Sequence, residues 1–158
     1  MTSNLPGLLA TLSGLALAAT AALAQTPAGV QATDPWVRAT VPQQKATGLF
    51  VTLQSAQGAR LVAASSPVAE VVEIHEMLME QNVMKMRSVR GVDLPKGQAV
   101  SLKPGGLHVM LMGLKQQVKE GDTVPVQLVL EGADGQRHTL TVQAQGRALK
   151  AGGGGHAH

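Results

Sequence analysis

Two histidines and two methionines stand at a spacing that could form one metal site: His75, ten residues, Met86, twenty-one residues, then His108-Val109-Met110. Thioether sulfur is a soft, uncharged ligand that suits Cu(I) and serves Zn(II), Fe(II) or Mn(II) poorly, whereas imidazole binds copper in either redox state. The chain has no cysteine, so it lacks the thiolate that blue-copper electron transfer requires. The four residues therefore predict a Cu(I) site.

The elements that must position these ligands are short β-type segments separated by glycine and proline turns. Candidate strands cover 49–54, 71–77, 83–89, 99–102, 107–112, 123–131 and 138–144. No window shows a sustained helical period with caps. Short strands at this spacing are typical of an all-β sandwich or barrel. Pro125 indicates that its strand lies at a sheet edge or has a bulge there.

Strand geometry explains the His108-Val109-Met110 spacing. Side chains of a strand alternate between its two faces, so His108 and Met110 point the same way while Val109 faces the apolar side. His75 shares its face with Met77 by the same rule. The sequence therefore predicts an imidazole and a thioether side by side on one rigid element.

Methionine also has an ordinary structural role as a flexible core filler. Taken alone, Met86 would more often be a core residue, and a short His-x-Met motif occurs by chance. The other methionines after the first residue are expected in the core or at its rim: Met77, Met79, Met84 and Met112. The sequence leaves open whether Met77 replaces one of the four ligands, and only the complete constellation favours a site.

With that constellation, the chain resembles the PCu(A)C family of periplasmic copper chaperones. The family signature, H(M)X10MX21HXM, matches His75, Met86, His108 and Met110 without a gap. The segments 36–38, 48–50, 104–111 and 121–122 are also similar, and the resemblance spans about 32–144. It implies a single-domain, all-β fold of the cupredoxin-like Greek-key sandwich or barrel type. It also implies Cu(I) bound by those four residues.

The resemblance further implies a function in copper transfer. The expected acceptor is the CuA domain of cytochrome c oxidase subunit II, with a Sco-type thioredoxin-like protein as a further candidate partner. A copper-sequestering protein without a delivery partner would use the same site, so the sequence does not separate these alternatives. Because thioether ligands come with no plausible catalytic base or redox cysteine, we do not expect an enzyme.

The first 24 residues predict export. They carry no charged side chain, run through an apolar stretch, and end in Ala22-Leu23-Ala24, which is typical of a secretory signal peptide. The apolar stretch is too short and too interrupted for a membrane span, although the missing basic residue leaves a retained anchor as the alternative. We therefore expect a periplasmic protein with signal peptide 1–24, a copper-binding domain over 25–148, and no stable membrane span in the mature chain.

The C-terminal segment and the charge pattern complete the prediction. Residues 149–158 contain four glycines followed by His156-Ala157-His158, a composition that indicates a disordered tail. These two histidines could form an accessory Cu(II) site, because imidazole and backbone nitrogens suit Cu(II). The net charge of +3 is scattered, and Trp36 and Phe50 are the only large aromatic residues. Nucleic acid is therefore not an expected partner.

Overall fold

The computed structural model describes residues 29–148, which form ten strands. The strands are β1 (Val30–Arg38), β2 (Ala46–Ser55), β3 (Ala59–Ser65), β4 (Ala69–Glu80), β5 (Val83–Ser88), β6 (Val92–Leu94), β7 (Ala99–Leu102), β8 (Leu107–Leu114), β9 (Thr123–Gly132) and β10 (Arg137–Arg147). No helix in this part of the chain is long and apolar enough to cross a membrane. The predicted signal peptide and the tail with His156 and His158 lie outside the described residues.

All ten strands belong to one hydrogen-bonded sheet that curls around a single core. The order is β5-β4-β8-β2-β1-β10-β9-β3-β6, with β7 paired to β2. Buried side chains of β2, β4 and β8 meet those of β3, β9 and β10 in one apolar cluster that includes Leu49, Leu111 and Leu128. The all-β, cupredoxin-like prediction is confirmed. Because β8 lies between β4 and β2, strands distant in the sequence become neighbours.

Each predicted strand is present, and three others, β1, β3 and β6, were not predicted from the sequence. In β1, the Asp34-Pro35 pair interrupts the strand signal, because both residue types are depleted in strands. β3 is rich in alanine, which has little β preference, and β6 has only three residues, so neither gives a clear strand signal. The prediction for Pro125 was wrong for the strand as a whole, because β9 pairs with both β10 and β3. The last pairing between β9 and β3 is at Gln127. Pro125 lies beyond that pairing, so its missing N–H removes no hydrogen bond to β3.

An exposed ion pair joins the bulged first strand to the last one. The register of β1 shifts between Thr33 and Trp36, Asp34 has a φ of 51°, and its carboxylate accepts hydrogen bonds from Arg147. These hydrogen bonds lower the pKa of Asp34 below its ordinary value of 3.8. The pair therefore stabilises the fold above that ordinary pKa, and its contribution disappears as the pH falls through the lowered value.

We expect Asp34→Asn to lower the urea midpoint slightly at about pH 7, because exposed ion pairs contribute little. The difference between variant and wild type should be smaller at a second, acidic pH, because the contribution of the pair is lost as the pH falls through the lowered pKa of Asp34. Urea titrations at the two pH values check this result. A difference of the same size at both would show that the pair acts through something other than charge.

Candidate metal centre

Strands β4, β5 and β8 bring the predicted ligands onto one face of the sheet. In the register, His75 of β4 stands opposite His108 of β8, and Met77 of β4 stands opposite Met86 of β5. A two-residue turn at 81–82, with positive φ at both residues, closes the β4–β5 hairpin and fixes this register. The apolar side chains that alternate with the ligands along β4 and β8 point to the opposite face of the sheet and belong to the core. The face that carries the ligands therefore lies outside the apolar core.

His75 has one ring nitrogen bound and one ring nitrogen free. Its Nε2 lies 2.8 Å from Oε2 of Glu73, two residues earlier on the same face, and donates a hydrogen to that carboxylate. Its Nδ1 is buried and has no hydrogen-bond partner among the described residues. A buried nitrogen lone pair without a partner is costly unless a ligand uses it. The carboxylate–histidine arrangement is the one that commonly orients metal-binding imidazoles.

His108 shows the same division of roles with the opposite nitrogen. Its Nδ1 donates to the carbonyl oxygen of Gly106 at 3.0 Å, which leaves Nε2 available. The two imidazole centroids are 5.9 Å apart and meet edge to face. A metal lies roughly 3.2 Å from the centroid of an imidazole that binds it, given a metal–nitrogen bond of about 2.0 Å. One ion can therefore bridge rings up to about 6.4 Å apart, and the observed separation is within that limit.

The methionines surround a cleft that opens beside His108. This cleft has a volume of about 280 Å³ and is lined by His108, Met77, Met86 and Met110 together with Phe50. His75 does not line the cleft and reaches it only through its contact with His108. Of the four predicted ligands, the structure thus gathers His108, Met86 and Met110 around one cleft, and it places His75 against His108. It also brings in Met77, whose part the sequence had left open.

Burial differs sharply between the two types of side chain. His75 and His108 are 8% and 7% exposed, whereas Met86 is 50% exposed. Met110 and Met77 are half-buried. The candidate centre therefore has two buried histidines, His75 and His108, and a solvent-facing methionine on β5. This exposure also excludes a core-packing role for Met86.

Aromatic side chains pack against His108. The Phe50 ring lies 6.2 Å from His108 and 4.5 Å from Trp36, measured between centroids. Gly48, opposite Met110 in the register, makes this possible, because a Cβ there would lie 2.9 Å from the Phe50 ring. Arg38 also lines the cleft, with its guanidinium 6.0 Å from the same ring centroid. The sequence reading did not identify any of these residues as part of the site.

Three glutamates of β4 lie near the site, and two of them form ion pairs with β5. Glu76 and Glu80 form ion pairs with Arg87 and Lys85 across the hairpin. Glu73 instead accepts a hydrogen bond from His75, so its carboxylate would partly offset the charge of a monovalent ion bound to that imidazole. The sequence signal for Glu73 was its two-residue spacing from His75 on one strand face.

Harder metals have little to bind here. Among residues 29–148, no three His, Cys, Asp or Glu side chains lie close enough to hold a metal ion. His138 lies on β10 opposite Leu130, on none of the three strands that carry the predicted ligands. The thioether sulfurs beside the two histidines instead suit soft cations such as Cu(I).

Comparison with known proteins gives one family. The family model described as "Putative lipoprotein LpqE-like" matches residues 30–144. "Putative lipoprotein Lxx21020" of Leifsonia xyli subsp. xyli is 34% identical over 112 residues, which cover 68% of this chain and 68% of that protein. The Rickettsia prowazekii protein RP573 is 33% identical over 101 residues, covering 60% of this chain and 56% of that protein.

Solved structures agree in fold. The copper-bound PCuAC domain of PmoF2 has a TM-score of 0.62 at 22% identity, covering 76% of this chain and 93% of that domain. The Cu(I) form of DR1885 from Deinococcus radiodurans has a TM-score of 0.52 at 32% identity, covering 84% of this chain and 87% of that protein. On the evidence of sequence and fold together, the chain belongs to the LpqE-like family, which is the PCu(A)C family.

Proposed function

We propose that this protein is a Cu(I) chaperone whose ion is held by His75 Nδ1, His108 Nε2 and the sulfur atoms of Met86 and Met110. The observation that supports this most strongly is the pair of imidazoles. One nitrogen of each ring makes a hydrogen bond within the protein, and the other nitrogen is available to bind a metal. The two rings lie close enough to share one ion. The relative DR1885 has a structure with Cu(I), which supports the choice of metal.

The ligand set also fits a monovalent ion electrostatically. Two imidazoles and two thioethers are neutral, so they leave the charge of Cu(I) uncompensated, and the Glu73 carboxylate beyond His75 offsets it. A divalent ion would keep an additional positive charge next to buried groups, which is unfavourable in a site of low polarity. This arrangement therefore favours Cu(I) over Cu(II) in the main site.

The uneven burial of the ligands suits transfer. The histidines are buried, while half of Met86 is open to solvent, so a partner's ligands could displace Met86 first and the histidines last. Each exchange would leave the ion coordinated throughout. A site intended only for storage gains nothing from such an open ligand, and this favours the chaperone over the copper-sequestering alternative.

We further propose that the acceptor is the CuA domain of cytochrome c oxidase subunit II, with a Sco-type protein as a candidate helper. We propose export as well: the signal-like N-terminus suggests it, and relatives are described as lipoproteins. The reaction is a transfer of the ion without chemical turnover. The protein would then act outside the cytoplasm, in the periplasm, without being an enzyme.

A transfer assay separates delivery from sequestration. The Cu(I)-loaded protein is mixed with the apo CuA domain, with and without a reduced Sco-type protein, and copper in each is measured after separation. We expect copper to move to the CuA domain, and to move faster from Met86→Leu, because the ligand that an acceptor must displace first is already missing. If copper stays on this protein although a chelator of similar affinity to the CuA domain removes it, delivery to CuA is contradicted.

A further inference from the structure

The β4–β5 hairpin exposes apolar side chains that a folded protein would ordinarily bury. The described chain has six exposed large hydrophobic residues, and four of them lie in the paired part of this hairpin, residues 75–88: Met79, Val83, Met84 and Met86, with exposures of 63%, 57%, 44% and 50%. The outer strand, β5, is also a free edge of the sheet. A role in core packing does not account for these methionines, because their side chains are exposed to solvent.

The hairpin separates its thioethers from its charges. The register pairs Met79 with Met84 and Met77 with Met86, and strand alternation puts all four on the face that carries His75. The charged residues Glu76, Glu80, Lys85 and Arg87 occupy the other face, where they form ion pairs across the two strands. Over the paired residues 75–80 and 83–88, this face of the hairpin therefore offers four sulfur atoms and no charged side chain.

The spacing of these sulfur atoms suits soft cations. Directly opposed side chains have Cβ atoms about 4.5–5.5 Å apart. Two sulfurs that share an ion can be up to about 4.6 Å apart if each metal–sulfur bond is about 2.3 Å. Successive pairs along the hairpin are two residues apart, or roughly 6.8 Å. Met79 and Met84 can therefore share one ion without moving the backbone, and the next pair lies one short step away.

We infer that Met79 and Met84 form a second, weaker site for a soft monovalent cation, and that ions pass from it through Met77 and Met86 to the histidine centre. The second site stands on the hairpin alone, whereas the passage inward rests on the proposed function. Two thioethers hold an ion less tightly than two thioethers and two imidazoles, so ions move toward the histidines. Each step along the hairpin exchanges one thioether sulfur for another, the last step adds the imidazole nitrogens of the histidine centre, and the oxidation state does not change.

The test uses the full chain labelled with methyl-¹³C methionine and titrated with Ag(I), a soft monovalent cation that is inert to redox change. We expect the Met86 and Met110 methyl signals to shift with the first equivalent and those of Met79 and Met84 with a second. The second ion should bind at least about tenfold more weakly, because it has fewer ligands. Met79→Leu/Met84→Leu should bind one ion only, whereas the control Met112→Leu should still bind two.

The outcomes separate this inference from the proposed function. If Met86 and Met110 shift but Met79 and Met84 do not, the second site is wrong and the chaperone centre stands. If all four shift together with a single ion, the second site is also wrong. If Met86 and Met110 stay unshifted, the proposed centre fails, whatever Met79 and Met84 do.

A rate measurement tests the passage inward. Loading of the histidine centre from a Cu(I)–chelator complex should slow at least about tenfold in Met79→Leu/Met84→Leu, because the incoming ion then has no outer ligands. The final Cu(I) affinity of the histidine centre should remain that of the wild type. An unchanged loading rate in a variant that has lost its second ion would overturn the passage while keeping the second site.

Discussion

Replacing His108 by alanine is expected to lower the Cu(I) affinity more than about 100-fold while the protein stays folded. Loss of an outer-shell partner alone typically weakens a metal site about 10- to 100-fold, and His108 is proposed to bind the ion directly. Among residues 29–148, it also provides the only imidazole that lines the cleft. The variant loses one hydrogen bond, to Gly106, which should reduce stability by about 1 kcal/mol.

Competition against a chromophoric Cu(I) chelator measures this effect, and urea unfolding shows that the variant is folded. His138→Ala is the matched control, because His138 lies on β10 opposite Leu130, away from the three strands of the centre. Its Cu(I) affinity should equal that of the wild type. Equal losses in both variants would mean that general histidine binding, and no defined centre, holds the copper.

Replacing Leu111 by alanine should lower the free energy of unfolding by about 2–5 kcal/mol, the range for large-to-small changes in packed cores. Leu111 is fully buried on β8, next to Met110 but on the opposite face, and stands opposite Val72 of β4 and Thr47 of β2. The cavity would lie directly beneath the strand that carries two of the proposed ligands. A loss this large is a sizeable fraction of the stability of a small domain.

Urea unfolding of the metal-free protein checks this value. Leu78→Ala serves as the control, since Leu78 is only half-buried on the hairpin face away from the methionines and should lose less. Adding Cu(I) should raise the unfolding midpoint of Leu111→Ala, because an ion that binds only the folded state stabilises it. A loss below about 1 kcal/mol would show that β8 is not packed as described.

Much of the metal centre was predictable because strand geometry is local. The two-residue spacing of His108 and Met110 fixes their common face, and the same rule links His75 to Met77. The lateral order of the strands is not local. Only insertion of β8 between β4 and β2 sets His75 opposite His108, and no pattern within either strand specifies that neighbour.

The exposure of the hairpin methionines could not be predicted from the sequence. Met79 and Met84 were expected in the core or at its rim because methionine is apolar, yet both are exposed. Their exposure depends on β5 being the outermost strand, a property of the whole sheet. The role of Glu73 was similarly hidden, because a carboxylate two residues from a histidine could equally have faced solvent without touching it.

The central claim is the mixed nitrogen and sulfur coordination of one copper ion. X-ray absorption at the copper edge, on protein with one equivalent of Cu(I), tests it most directly when compared with Met86→Leu/Met110→Leu and with the cleft control Met77→Leu. We predict a shell of two nitrogen and two sulfur atoms, kept in the control and losing its sulfur in the double variant. A nitrogen-only shell that is identical in all three proteins would contradict the proposed centre.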